Sequence, residues 1–189
     1  ADTRNLEAFE VERFEGDVTD AKAVGRAIEG CESLYHLAAI YKIWMPDPEP
    51  IYRVNLEGTT TTLLAAQAAR VKRVVYTSSI AGVGFAERDG QPADETRPFN
   101  GWKVANDYVI TKHLSERIAL SFARAGLPVV VVNPAFPFGP GDVGPTPTGQ
   151  IIADYLNGRL PAVGPGGFCA VDVDDVGEGH VLAEERGRV

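Results

Sequence analysis

The chain has 189 residues, 44% hydrophobic and 23% charged, with a formal net charge of -8 at pH 7 and a pI near 4.9. That length and apolar content suit one globular domain around one core. The acidic balance argues against nucleic acid or an anionic membrane, both of which would repel it, and leaves a small-molecule or protein partner as the expectation.

Cys31 and Cys169 are too few for a disulfide framework and lack zinc-site spacing, which fits a reducing compartment. No apolar run approaches the roughly 18 residues of a bilayer span, and the acidic start "ADTRNLEAFE" lacks the pattern of a signal peptide. A soluble, cytoplasmic protein with no membrane insertion is expected.

In chain order, "FEVERF" alternates apolar and polar residues and predicts a strand. "GDVTD" then supplies a turn and a helix cap ahead of "AKAVGRAIEG" at helical spacing. "SLYHLAA" predicts a second strand, followed by a loop with Pro46, Pro48 and Pro50. From about Ile51 to Ala69 the spacing predicts a long helix whose Leu56, Leu63, Leu64 and Ala68 can share a face. "RVVYTSS" predicts a strand from its β-branched and aromatic content. A charged connector, "ERDGQPADETRPFNG", leads to a helix carrying Tyr108 and Lys112. "PVVVVN" then reads as a parallel strand apolar on both faces. After Asn133 come a Gly- and Pro-rich stretch, a helix from about Thr148 to Leu156, another Gly/Pro turn, and "DVDDVGEGHVLAEERG", where Asp174 or Asp175 can cap a last helix. There is no internal repeat.

This alternation predicts a doubly wound α/β parallel sheet that binds ligands at the carboxyl ends of its strands, in the loops after "HLAA", "YTSS" and "VVVVNP". "GPGDVG", residues 139–144, matches the dinucleotide fingerprint letter for letter. That fingerprint works by turning a strand directly into a helix whose amides receive a pyrophosphate. Here Pro140, Pro145 and Pro147 interrupt the run, so a structural loop is the better reading.

Tyr108 and Lys112 stand one helical turn apart and share a face. Alone, that pair describes any amphipathic helix. Ser78 and Ser79 at the end of a predicted strand, and a polar Asn55 in the preceding helix, turn it into a candidate site. Histidines 36, 113 and 180 lack metal-ligand spacing, so no metal site is expected, and His36 reads as a satisfied strand histidine. "DVDDVG" begins like a calcium loop, but Val176 stands at a ligand position and no glutamate closes it, so helix capping explains it better.

With "GDVTD", "HLAA", "YRVNLEGT", "VVYTSSIAGVG", "PADETRP", "YVITK", "VVNPAFPFGPGD" and "VDVDDVGEGH" in order, the chain resembles the extended short-chain dehydrogenase/reductase family, also called the NAD-dependent epimerase/dehydratase family. "PTPTGQII" and "NGRLPA" look most like hopanoid-associated sugar epimerases, with dihydroflavonol-reductase-like enzymes as near relatives. The resemblance implies a Rossmann-type fold over residues 1–189, with 139–169 contributing to the substrate side. It also implies NAD or NADP as cofactor. Tyr108 becomes the proton donor or acceptor, Lys112 the holder of the nicotinamide ribose, and Ser79 the hydrogen-bond partner of the substrate oxygen, with Ser78 the competing assignment. An adjacent ammonium is expected to favour the phenolate. Asp17 and Val18 are implied to face the adenine, Leu37, Ala38 and Ala39 to line the cofactor's path, and Pro134 and Phe136 to lie by the nicotinamide. Asn55 and Thr77 complete the cofactor-binding set. Asp17 could instead shape a turn, and the small residues of "HLAA" could serve close packing. Where the family commonly has a histidine, this chain has Asp172.

The resemblance further implies that the family's first two strands with their glycine turn, and most of the C-terminal substrate lobe, lie outside these residues. An N-terminal extension of about 40 residues bearing a βαβ unit is expected. The helices around 51–69 and 103–125 resemble those of a four-helix homodimer interface, although core packing also explains their apolar faces. The implied activity is that of an NAD(P)-dependent epimerase or oxidoreductase acting on a carbinol or carbonyl carbon, with a nucleotide sugar as small-molecule substrate. A dihydroflavonol-reductase-like NADPH carbonyl reductase and a non-catalytic dinucleotide-binding module are the alternatives.

Overall fold

A computed structural model describes residues 3–86, 91–144, 146–162 and 167–189. The start of the charged connector (87–90), Pro145 and residues 163–166, where a second Gly/Pro turn is expected, lie outside the described residues. Contacts divide the chain into two compact units: Phe14–Pro134 with His180–Val189, and Ala1–Arg13 with Ala135–Gly179.

The larger unit is built on a parallel sheet in the order β1 (Ser33–His36), β2 (Arg73–Thr77), β3 (Val129–Val132). In β2 the successive residues Val74, Val75 and Tyr76 are all buried. Neighbouring strand residues point to opposite faces, so both faces of the central strand are covered. Val74, Tyr76 and Val129 join Leu63, Ala66 and Ala119, from helices α3 (Thr59–Ala69) and α4 (Asp107–Arg124), in one core that also includes Ile28 of α1 (Ala21–Ile28). On the opposite face, the C-terminal end of α6 (Val173–Arg186) meets the sheet: Glu184 accepts from the Tyr35 hydroxyl, and His180 Nε2 lies 2.8 Å from Thr77 Oγ1. That is a doubly wound sheet, with helices on both faces.

Local chemistry sets the helix ends. Asp20 caps α1, its carboxylate accepting from the Lys22 and Ala23 amides at 2.9 and 3.2 Å. The long helix expected over 51–69 is continuous but not uniform: α2 (Glu49–Tyr52) passes through a π-helical segment, Arg53–Gly58, into α3. At Gly58 a Cβ would come within 2.6 Å of Val18 Cγ2, so glycine lets the loop before α1 close onto this helix. Asn106 caps α4 by accepting from the Val109 amide at 3.0 Å, and Arg124 lies in its last turn, where a cation complements the helix dipole.

Three expectations need correction. "FEVERF" forms no strand: residues 9–14 are irregular, and Phe9, Val11 and Phe14 are 63%, 52% and 52% exposed. β1 is the end of its sheet's strand order, so among the described residues no neighbour offers this segment a ladder; alternation makes a strand only where it finds one. Of the four residues expected to share a face of the long helix, Leu63 is buried and Leu56 half-buried, but Leu64 is 53% exposed and Ala68 exposed. The inward face of α3 is Leu63 and Ala66 beside Thr59 and Thr62. The last helix takes its cap from Asp172, whose Oδ1 accepts from the Asp174 amide at 2.8 Å, and Asp174 and Asp175 fill its first turn.

In the smaller unit β4 (Phe136–Phe138) pairs in parallel with β5 (Ala170–Asp172), and Phe168 lies against both Phe136 and Phe138 with ring centroids 5.6 Å apart. α5 (Pro147–Leu156) starts at a Thr146 cap. The Asp142 carboxylate in "GPGDVG" accepts from the Thr146 amide at 3.0 Å, and its Oδ2 would lie 1.9 Å from a Cβ at Gly149 in the first turn of α5. The loop thus sets its own carboxylate by the helix start, where a fingerprint would leave amides open for phosphate. No helix among the described residues is long and apolar enough to cross a membrane.

Candidate active site

Helix α4 carries an inward stripe of polar residues at one-turn spacing: Tyr108, Thr111, Lys112, Ser115 and Glu116. Thr111, Lys112 and Ser115 are buried, while Leu114 on the same helix is exposed. The stripe runs beneath the carboxyl ends of β2 and β3, where an open parallel sheet places its ligands.

Lys112 reaches the end of β2. Its Nζ donates to the Thr77 carbonyl at 2.9 Å and lies 5.9 Å from the Tyr76 ring centroid. Burial lowers its pKa to about 8, against the opposing pull of the Glu116 carboxylate one turn on. The ammonium therefore persists at neutral pH. The Tyr108 phenol lies near enough to Ser79 for the serine to pull its pKa down, and its ring packs on Tyr41 with centroids 4.8 Å apart. Ser79 Oγ accepts from the Ala81 amide at 3.1 Å, capping the short 3-10 turn Ile80–Gly82.

The expected lowering of the phenol pKa is reversed. Burial raises it, Ser79 pulls it down, and the nearby Tyr41 and Tyr76 raise it further. Desolvation disfavours the phenolate, and the Lys112 ammonium is directed at Thr77 O. At neutral pH the phenol holds its proton.

Buried polar groups brace this arrangement. In the π segment Asn55 accepts from the Ile40 amide at 2.8 Å and donates to the Ile40 carbonyl at 3.2 Å and to Thr111 Oγ1 at 3.0 Å. Its amide thereby clips the loop after β1 to α4, leaving neither N–H for a ligand; π segments often occur at such sites. Tyr76 donates to Ser115 Oγ at 2.7 Å, and Ser115 donates to the Lys112 carbonyl at 3.2 Å. His36 Nε2 lies 3.1 Å from Thr59 Oγ1, and burial with the Lys112 charge lowers the His36 pKa to about 4.

The two serines separate cleanly. Ser79 Oγ accepts from the Ala81 amide, whereas the buried Ser78 donates to Glu116 Oε2 at 2.5 Å. Asn133, after β3, donates to the same Oε2 at 2.7 Å and to the Ser79 carbonyl at 3.1 Å. Pro134 accepts from the Ile80 amide at 2.9 Å. Glu116 and Asn133 were not anticipated from the sequence. The signal was available: a glutamate eight residues after Tyr108 extends the inward stripe by one more step.

Other positions are quieter. Asp17 accepts from the Thr19 amide and hydroxyl at 2.9 and 2.8 Å and faces Arg53 at 3.6 Å, which is the geometry of a turn former. Val18 packs at Gly58. Leu37 and Ala38 are exposed and Ala39 half-buried in the loop after β1. Thr77 offers its carbonyl to Lys112 and its hydroxyl to His180. Phe136 belongs to the smaller unit, in β4.

The donor set suits a nicotinamide nucleotide's ribose. Lys112 is a buried ammonium with three N–H donors, and among the described residues it gives one, to Thr77 O. The remaining donors are free for vicinal hydroxyls.

A parallel sheet wound with helices on both faces defines a Rossmann-type scaffold. Residues 2–188 match the model of the NAD dependent epimerase/dehydratase family, and the chain belongs to that family. It is 41% identical over 184 residues to a Synechocystis sp. protein whose name makes it, provisionally, a dihydroflavonol 4-reductase, covering 97% of this chain and 53% of the relative. Among solved structures, that of gox2253 is similar at 42% identity and TM-score 0.92, over 100% of this chain and 57% of the other. The Thermus thermophilus UDP-glucose 4-epimerase, solved in complex with NAD, is similar at 26% identity and TM-score 0.76, over 95% of this chain and 64% of the other. The chain spans about half the length of the curated relatives it matches. NAD is the cofactor of the family.

Proposed function

We propose that the protein catalyses oxidation or reduction at a carbinol or carbonyl carbon with bound NAD or NADP, and that Ser79, Tyr108 and Lys112 are its catalytic residues. One observation carries this reading: the buried Lys112 ammonium, one turn from Tyr108 on α4, reaches the end of β2 two residues before Ser79, donating to the Thr77 carbonyl at 2.9 Å. In the reductive direction the protonated phenol gives its proton to the carbonyl oxygen while Ser79 hydrogen-bonds that oxygen. In the oxidative direction the same phenol takes the proton back. Lys112 binds the ribose through its spare donors and stabilises charge developing on Tyr108. A bound nicotinamide supplies or accepts the hydride.

Epimerisation of a nucleotide sugar is our first reading of the overall reaction. Net NADPH-dependent carbonyl reduction is the second, favoured by the identity to the Synechocystis protein. UDP-glucose with NAD, and dihydroquercetin with NADPH, separate them: a reductase consumes the reduced-nicotinamide absorbance with substrate, whereas an epimerase converts its sugar with no net change. Tyr108→Phe is expected to abolish turnover while leaving cofactor binding, followed by nicotinamide fluorescence, intact. Wild-type turnover in that variant refutes the catalytic assignment and leaves a dinucleotide-binding module as the better account. A homodimer through the helices around 51–69 and 103–125 belongs to the same proposal, and light scattering on the full-length protein tests it.

A further inference from the structure

We infer that Glu116 is a positioning residue, its carboxylate tying the loops after β2 and β3 to helix α4 so that Ser79 is held in place relative to Tyr108 on that helix. This rests on the reading above, in which Ser79 hydrogen-bonds the reacting oxygen. One atom does the tying: Glu116 Oε2 accepts from Ser78 Oγ at 2.5 Å and from Asn133 Nδ2 at 2.7 Å. Asn133 passes the constraint onward by donating to the Ser79 carbonyl at 3.1 Å. Ser79 is thus restrained through its chain neighbour Ser78 and through its own carbonyl, while its hydroxyl accepts from the Ala81 amide. Charge-assisted hydrogen bonds are the strong ones, and a carboxylate oxygen can accept both donors at once.

The surroundings are shaped for this carboxylate. A Cβ at Gly82 would lie 2.9 Å from Glu116 Oε2 and 3.2 Å from Ser78 Oγ, so the absence of a side chain at Gly82 makes room for the contact. Tyr108, Lys112 and Glu116 fall at successive four-residue steps of one helix, so a single rigid element carries the phenol, the cation and the brace. The carboxylate also offsets part of the burial of the Lys112 ammonium.

The test compares Glu116→Gln, which keeps an acceptor oxygen, with Glu116→Met, which keeps the bulk and loses it. Gly82→Ala, which intrudes on the carboxylate from the other side, is the second route. In the full-length protein, assayed with dihydroquercetin and NADPH and with UDP-glucose and NAD, Glu116→Met is expected to lower kcat by at least about tenfold with KM changed little. Glu116→Gln should recover most of that loss. Amide hydrogen exchange gives a readout independent of turnover: the Ile80 and Ala81 amides should exchange faster by about tenfold in Glu116→Met and in Gly82→Ala, while those of Val75 and Tyr76 keep their protection. Unchanged exchange at Ile80 and Ala81, or loss of protection spread equally through β2, overturns the inference. Equal kinetic losses for Gln and Met also overturn it. The reading of the site fails separately, through wild-type turnover in Tyr108→Phe, and the exchange data still decide the role of Glu116 in that case.

Discussion

Two buried titratable side chains set the energetics at the residue scale. Lys112 keeps a cation out of water, and with its pKa lowered to about 8 that cost is fully present below pH 8 and fades as the pH rises towards its ordinary value near 10.5. Lys112→Met should therefore stabilise the ligand-free protein by about 1–3 kcal/mol at pH 7 and by less at pH 10, while weakening cofactor binding and turnover. Denaturant titrations at the two pH values check this. His36 has the opposite pH window. Its pKa, lowered to about 4 by burial, means that the folded protein refuses a proton that the unfolded chain accepts below about 6.5. Stability should fall by roughly 3 kcal/mol as the pH drops from about 6.5 to about 4, with no further loss from this group below that. His36→Gln, neutral throughout and still able to hydrogen-bond Thr59, should flatten that slope.

At the scale of elements, what was legible in the sequence follows from how each element spends its apolar residues. "RVVYTSS" and "PVVVVN" were readable because β2 and β3 place β-branched residues in the core. Helix α4 was readable from its pattern, and the pairing of Tyr108 with Lys112 from spacing alone. α3 misled because its buried face is partly polar, with Thr59 and Thr62 inward next to Asn55 of the preceding turn. Its Leu64, Ala65, Ala68 and Ala69 instead line an outward cleft with Ala21 and Gly25 of α1. The stripe spacing could have marked Glu116, but its partners Ser78 and Asn133 could not be read, because hydrogen bonds between distant loops leave no local periodicity. Helix α3 ends in a further testable detail: its C-cap Arg70 adopts left-handed backbone, φ 55°. L-residues other than Gly and Asn are strained there, so Arg70→Gly should raise stability by roughly 0.5–1 kcal/mol, read as a shift in denaturant midpoint.

For the whole molecule, acidity and buried histidine act in the same pH range. With a pI near 4.9 the chain loses its net charge close to pH 5, inside the interval where His36 withdraws stability. Aggregation is therefore expected to peak near pH 5, measured by light scattering against pH 7, and to be milder in His36→Gln. A larger constraint comes from α4, which joins the ends of β2 and β3 by side chains drawn from a single nine-residue interval, Tyr108 through Glu116. Each added or deleted residue within that interval would swing everything downstream by about 100° around the helix axis. Chain-length variation should accordingly be forbidden inside the interval, so that this short measure of helix works as the molecule's ruler.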